Sequence, residues 1–439
     1  MVRIEHSIRF DSSRCDGRHA CLRVCPTEAI RIRDGKAVML SEHCVDCGEC
    51  LRACPNNAII PLTNSFVEFS KFKHNIALPS PVFYTQFGKR ASPAMLLEAL
   101  LEIGFDSYYD VSTTCEATSI AVDQFLKDYS GPAPLITPYC PTVVRLLQKR
   151  FPDLANHLLP LDSPMEIAAR DAKEKVAEET GLGFDDIGAI YLTPCPVKML
   201  AIYNHPRKSR SNLDGAIAIS DIYGPMLSAL GKISERKEEI EARVKNISGI
   251  GVGWSRLDGL TRSISHETLV VSVMDFIIHT FEEIESGKLR DIALVECYAC
   301  RIGCAGGILN VENPYVSRHR LRELQAKLGR AATLDREEIV GKFDKGYFNV
   351  EQELATKPLK PLDEDLSKAI EKMNQREELL AKLPRINCGV CGAPTCETFA
   401  EDVVLGRAEL SQCFAVQRDE LKRMLRQSLD IVERRRQEN

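Results

Sequence analysis

The chain has 439 residues, 44% of them hydrophobic, and a formal net charge of -5. At roughly 150 residues per domain, that length predicts two to four domains with room for sizeable cores. The mild charge argues against nucleic-acid binding, no apolar run reaches the ~18 residues of a membrane span, and the start, Met1-Val2-Arg3-Ile4-Glu5-His6-Ser7, lacks the apolar stretch of a signal peptide. The chain therefore reads as cytoplasmic, where thiols stay reduced. Its 17 cysteines then point to metal binding, since clustered Cys-x2-Cys spacings suit disulfides poorly.

The first 60 residues contain a repeat offset by 29: Cys15 maps to Cys44, Cys21 to Cys50, Cys25-Pro26 to Cys54-Pro55 and Ala29-Ile30 to Ala58-Ile59. The second copy, Cys44-x2-Cys47-x2-Cys50-x3-Cys54-Pro55, resembles the run of the bacterial two-cluster ferredoxins. Three closely spaced thiolates cap one face of a cubane, and the fourth lies beyond reach and serves the other cluster. Cys44, Cys47 and Cys50 are therefore expected to share a [4Fe-4S] cluster with Cys25, and Cys15, Cys21 and Cys54 to hold a second; zinc is the competing metal. The counterpart of Cys47 is Arg18, a poor ligand. The second site is then either a three-cysteine [3Fe-4S] or a [4Fe-4S] completed by a ring nitrogen of His19. Residues 1–66 are read as an α+β ferredoxin-like domain.

Residues 67–345 alternate apolar runs with helix-like stretches. Ile76-Ala77-Leu78, Ala189-Ile190-Tyr191-Leu192 and Ile292-Ala293-Leu294-Val295 read as short buried strands. Pro93 to Ile103 and Pro141 to Lys149 read as helices with proline in the first turn. Such alternation predicts α/β layers with parallel sheets. Cys195 and Cys300 each follow a predicted strand, where α/β proteins place ligand sites. Gly249-x-Gly251-x-Gly253 lacks the strand, helix and acidic residue of a dinucleotide fingerprint and reads as a turn. Cys115 and Cys297 read as buried thiols, with a proton-donor role as the sharper alternative.

Three segments of this middle region resemble the iron-only ([FeFe]) hydrogenases. They are Thr137-Pro138-Tyr139-Cys140-Pro141, Thr193-Pro194-Cys195-Pro196-Val197-Lys198, and Glu296-Cys297-Tyr298-Ala299-Cys300-x3-Cys304 with trailing Gly306-Gly307. The resemblance implies that Cys140, Cys195, Cys300 and Cys304 hold one [4Fe-4S] cluster. It implies that Cys304 bridges to a diiron centre carrying CO, cyanide and a dithiolate. Lys198 matches the lysine that contacts an iron-bound cyanide, and Leu78-Pro79-Ser80 sits where the family has an Ala-Pro-Ser turn beside the dithiolate. The departures bear on function. Tyr139 replaces the cysteine that relays protons, and a phenol (pKa ≈ 10 against ≈ 8.5 for a thiol) is a poor shuttle near neutral pH. Thr193 and Tyr298 replace methionines that pack around the diiron site. The chain is most similar to the divergent, sensory-type members that lack the relay cysteine, and the residues leave open whether the diiron centre is present.

Residues 346–364, with Pro358, Pro361 and several charges, read as a linker, and Asp365 to Lys382 as an amphipathic helix with Leu366, Ile370, Met373, Leu379 and Leu380 on one side. Together 346–383 form a linker and helix. Cys388-x2-Cys391-x4-Cys396-x16-Cys413 within 384–415 resembles the small four-cysteine Fe–S domain of membrane electron-transport subunits and corrinoid iron–sulfur proteins. It implies another [4Fe-4S]. Residues 416–439 read as a charged helix to Asn439, whose stripe of Leu421, Met424, Leu425, Leu429, Ile431 and Val432 is expected to pack on its own protein; a partner is the alternative.

The expectation is an α/β hydrogenase-like domain flanked by an N-terminal α+β ferredoxin-like domain and a small, mostly helical C-terminal Fe–S domain. It is an iron–sulfur redox protein with three to four [4Fe-4S] clusters, sensing hydrogen or redox state or feeding electrons to a partner, with weak hydrogen turnover at best. Tyr139, Lys198 and Cys304 are its candidate catalytic residues, and Pro79, Ser80 and Lys198 line its cofactor. An electron-transfer subunit with cubanes only and a low-activity ferredoxin-linked hydrogenase are the alternatives. The expected partner is a ferredoxin or an oxidoreductase subunit, with a signalling or complex partner on the C-terminal helix as a further expectation.

Overall fold

Strands that are apolar throughout, without alternation, suit a parallel sheet covered on both faces. Ile187–Thr193 is such a strand, buried at every residue. In the computed structural model it pairs in parallel with His74–Pro79 on one side and Gly215–Ala218 on the other. Ser107–Tyr108 completes a four-stranded sheet at the far edge of His74–Pro79. A second parallel sheet sets Leu294–Tyr298 between Thr268–Ser272 and Leu135–Ile136. The strand expected at 292–295 thus begins two residues later and carries Cys297 within it.

The structure describes residues 4–244, 247–329 and 332–437. They divide into two units, the first comprising 4–9, 45–48 and the described residues of 61–358, the second 10–44, 49–60 and 359–437. Both sheets belong to the first unit, which is the α/β part of the chain. The helix Pro93–Glu102 starts behind Ser92, whose hydroxyl accepts from Met95 N–H. The helix Pro141–Arg150 starts directly behind Cys140.

Two expectations need correction here. The glycines 249, 251 and 253 lie in a short helix, Gly249–Gly253, rather than a turn. They serve close packing: a Cβ on Gly251 would lie 1.6 Å from the Ser112 carbonyl oxygen. Residues 346–357 are a strap on the α/β unit, not a free linker. Phe348 O accepts from Asp162 N–H at 2.7 Å, Lys357 N–H donates to Gln148 O at 2.8 Å, and Phe348 and Leu354 are buried. Prolines and charges mark irregular backbone equally well in a strap and in a linker.

The second unit is built from the hairpin Ile30–Arg33/Lys36–Met39, two short helices, Ala20–Arg23 and Glu49–Ala53, and three longer ones. Asp34 and Gly35 turn the hairpin with positive φ at both positions, the geometry that matches strand twist. The helix Leu366–Lys382 is capped by Asp365, which accepts from Lys368 N–H at 3.0 Å. Leu379 and Leu380 pack against a small core of Leu383, Ala393, Phe399 and Ala400, whereas Leu366, Ile370 and Met373 are exposed. Thr395 caps Cys396–Val404, and Phe414–Gln437 is the last helix. Its stripe at Leu421, Met424, Leu425, Leu429, Ile431 and Val432 is exposed, so the expected packing on the chain itself is not found among the described residues. The last two residues of the predicted helix, 438 and 439, lie outside them. No described helix is long and apolar enough to cross a membrane.

Candidate metal centres

In the second unit, Cys21 is flanked by Cys15 and Cys54. Burial and these two neighbours push its pKa up to about 11. Cys50 likewise has Cys44 and Cys25 beside it, with burial again the main cause of a raised pKa. Cys47 belongs to the first unit, where it packs against the core around Val45 and Val143. The internal repeat reappears as local geometry. Ala29 N–H donates to Cys25 Sγ at 3.2 Å, and its repeat mate Ala58 N–H donates to Cys54 Sγ at 3.3 Å. Ala37 N–H does the same for Cys15 Sγ at 3.3 Å. Cys21 and Cys50, buried with raised pKa, converge with Cys15, Cys25 and Cys54, whose sulfurs accept backbone donors, and such a set fits a cationic metal core that compensates converging thiolates. Arg18 turns outward, with Nε 2.5 Å from Asp16, whereas His19 adopts left-handed backbone at the start of Ala20–Arg23.

In the C-terminal segment Cys391 has Cys413 and Cys388 as neighbours, and burial raises its pKa. Cys396 and Cys413 are buried and Cys388 is exposed. Asn387 Oδ1 accepts from Cys396 N–H at 2.8 Å, which ties the two ends of the loop.

The site in the α/β unit gathers at the carboxyl ends of parallel strands, the usual ligand position in such sheets. Pro79 ends His74–Pro79 and Ser80 follows it. Tyr139 and Cys140 follow Leu135–Ile136, Cys195 follows Ile187–Thr193, and Cys300 follows Leu294–Tyr298. The glycine after Cys304 makes the approach of two loops possible. A Cβ on Gly307 would lie 2.4 Å from the Pro194 carbonyl oxygen, which also accepts from Leu309 N–H at 2.9 Å. Cys195 and Cys304 therefore come near each other, and Cys140 is beside both. Burial raises the pKa of Cys195 to about 12 and of Cys304 to about 11, against the pull of Lys198. Burial opposes the charge on Lys198, but Tyr191, Cys304, Cys195 and Cys140 outweigh it and hold its pKa above the usual lysine range. Lys198 Nζ contacts Met165 Sδ at 3.6 Å and lies 5.3 Å from the centre of the Tyr191 ring. Three thiols around one buried ammonium group suit an anionic cluster.

Tyr139 packs its ring on Trp254 at 5.0 Å between centroids. Its phenol oxygen is buried and has no hydrogen-bond partner among the described residues, and burial raises its pKa further. The two polar replacements for methionine are accommodated internally. Thr193 Oγ1 donates to Cys195 O at 2.7 Å, and Tyr298 OH donates to Glu296 Oε1 at 2.5 Å. Glu296 also accepts from Leu260 and Thr261 N–H. Cys297 is buried, with its N–H on Thr137 Oγ1 at 3.1 Å. Cys115 lies close enough to Lys198 and Cys304 to feel their charges.

Sequence reading missed Trp254 and the buried ion cluster of Asp162, Lys208 and Glu166 behind Tyr139, with Lys208 Nζ 2.5 Å from Asp162. Trp254 is the chain's one tryptophan, a signal that was available. The ion cluster joins residues 46 apart and has no local signature.

Residues 73–268 match the family model for the iron only hydrogenase large subunit, C-terminal domain. That match includes Cys140 and Cys195 and ends before Cys300. Residues 7–55 match a 4Fe-4S dicluster domain and 383–414 an Fe-S cluster family. Iron hydrogenase 1 of Clostridium pasteurianum is 21% identical over 281 residues, covering 54% of this chain and 48% of that protein. The chain thus spans about half the length of the curated relative it matches. Among solved structures, one concerned with oxygen inactivation of a [FeFe]-hydrogenase is 15% identical, with a TM-score of 0.47 over 66% of this chain and 98% of that one. A [FeFe]-hydrogenase from Chlamydomonas reinhardtii gives 15%, 0.47, 66% and 97% for the same quantities.

Proposed function

We propose, from an iron-only hydrogenase large-subunit domain lying between a 4Fe-4S dicluster domain and a small Fe-S domain, that this chain is an electron-carrying, hydrogen- or redox-sensing relative of the hydrogenases with weak turnover at best. The clusters would be held by Cys25, Cys44, Cys47 and Cys50; by Cys15, Cys21 and Cys54; by Cys140, Cys195, Cys300 and Cys304; and by Cys388, Cys391, Cys396 and Cys413. Iron–sulfur clusters supply reversible one-electron oxidation and reduction. Cys304 and Lys198 would face any diiron centre, beside Pro79 and Ser80. The redox partner would be a ferredoxin or an oxidoreductase subunit, and the exposed stripe of Phe414–Gln437 supports a further protein partner there.

The observation that carries the low-turnover reading is Tyr139. At the relay position its phenol oxygen is buried and without a hydrogen-bond partner among the described residues, and its ring packs at a tilt on Trp254. A general acid or base must reach its proton partner within hydrogen-bond distance and have a pKa near working pH. Tyr139 meets neither requirement among the described residues. The test is infrared spectroscopy of anaerobic protein after incubation with a synthetic diiron precursor. Bands of iron-bound CO and cyanide that survive desalting support a hydrogenase-type site. Their absence, with iron and sulfide fitting cubanes only, supports an electron-transfer subunit instead. The internal partners of Lys198, Met165 and Tyr191, favour that second reading.

A further inference from the structure

Residues 10–44 and 49–60 share one unit with the C-terminal four-cysteine segment, and a buried ion cluster joins them that neither completes alone. Asp402, on the helix Cys396–Val404, is 1% exposed. Its carboxylate accepts from Arg31 Nε at 2.6 Å and from Arg33 Nη2 at 2.6 Å. Arg31 gives a further donor to Glu28 O at 2.6 Å. Arg33 Nη1 donates to Cys391 O at 3.3 Å and Gly392 O at 3.2 Å, so a guanidinium of the hairpin touches the ligand loop directly. Ile32 N–H donates to Gly392 O at 2.8 Å, and a Cβ on Gly392 would lie 2.1 Å from Ile32 O. Thr398 Oγ1 donates to Glu28 Oε2 at 2.9 Å.

The other end of this contact lies beside candidate ligands of both sites. A Cβ on Gly389 would sit 3.4 Å from Leu22 Cδ2 and 4.0 Å from His19 Nδ1. Leu22 follows Cys21 and Gly389 follows Cys388. Two positive-φ glycines, Gly389 and Gly392, thus bring one ligand-bearing loop against one ligand-bearing helix. Desolvating three charged groups costs several kcal/mol and is often no net gain over apolar packing, so an ion cluster of this kind is weak evidence for stability as its purpose. What it does fix is relative position.

We propose that Asp402, Arg31 and Arg33 are positioning residues that hold the Cys388–Cys391 loop against Cys21–Leu22, so that electrons pass directly between the C-terminal site and the Cys15/Cys21/Cys54 site across the Leu22–Gly389 contact. One electron moves and no bond forms or breaks; a one-electron protein reductant supplies it. The inference rests on the reading that both sites hold iron–sulfur clusters.

The test is electron paramagnetic resonance of the full chain, reconstituted with iron and sulfide and reduced with dithionite. The wild type should show spin–spin broadening beyond that of Cys396→Ser, which removes the C-terminal site and leaves only the coupling within the dicluster segment, and this additional broadening should also be absent in Cys21→Ser, which removes the other site. Asp402→Asn should keep iron and sulfide content and lose the additional broadening. If Asp402→Asn loses metal, Arg33→Ala, whose side chain is 21% exposed, carries the same expectation. A wild-type spectrum whose lines are no broader than those of Cys396→Ser, with full metal content, overturns the inference alone. A wild type with no cluster at either of the two sites overturns it together with the reading beneath it.

Discussion

A phenol oxygen buried without a partner costs roughly 1–3 kcal/mol. Tyr139 bears that cost in the described structure. Tyr139→Phe is therefore expected to leave stability unchanged or raise it by up to about 1 kcal/mol, read by chemical denaturation. A clear loss of stability would mean that the hydroxyl holds something. Tyr139→Cys tests the chemistry. In a sample loaded with the diiron centre it should raise hydrogen turnover by roughly tenfold or more, from the ~10²–10⁴ typical of a positioned acid–base group. No gain in a fully loaded sample would count against the sensing reading. The thiols give a pH prediction. Burial raises Cys21 and Cys304 to about 11, so without metal both are protonated at pH 7. Metal binding must then release their protons, and binding must tighten as pH rises. Cobalt(II) uptake by the apo-protein should strengthen from pH 6.5 to 8.5; an affinity flat with pH would mean thiols already ionised. Position was legible for these residues in the cysteine repeat and the three motif segments. The unbonded state of Tyr139 was not, because it depends on Trp254, 115 residues away.

Single elements were readable where one local signal decides them. The apolar run at 187–193 and the proline at the start of Pro141–Arg150 each act within a few residues. Gly249, Gly251 and Gly253 misled because their reason is tertiary: each is small where another segment's backbone or side chain comes close. Gly307 obeys the same rule at the central site. Its missing Cβ lets the Cys304 loop meet Pro194, one residue before Cys195. Gly307→Ala is expected to force these loops apart, costing about 1–3 kcal/mol for overpacking. It should also lower the iron bound by the α/β unit, measured per chain after reconstitution. The contrast is Gly341→Ala in the helix Arg336–Asp344, where nothing stands within 4 Å. That change should stabilise by about 0.5–1 kcal/mol, the helix-propensity difference. If both variants behave alike, the close approach at Gly307 is not what assembles the site.

For the whole molecule, sequence order and folded units part company. The reading by segments expects separate N-terminal and C-terminal cluster domains, yet residues 10–44, 49–60 and 359–437 form one unit. Asp402 lies 371 residues from Arg31, and no periodicity or spacing links positions so far apart. The consequence can be tested by truncation after Pro358. The α/β unit keeps its two sheets and the strap that ends at Lys357, so its cysteines Cys140, Cys195, Cys300 and Cys304 should still take up iron. The hairpin Ile30–Arg33/Lys36–Met39 loses the carboxylate that pairs Arg31, whose side chain is 4% exposed. Removing one partner of a buried ion pair typically costs about 3–5 kcal/mol. Such a loss is large for a segment of about fifty residues, a size at which cores are marginal. The truncated chain is therefore expected to lose its N-terminal cluster absorbance at lower denaturant than the full chain, while the α/β unit unfolds at an unchanged midpoint. If both transitions stay where they were, the N-terminal segment is stable by itself and Asp402 contributes position without stability. If both shift together, the two units unfold as one.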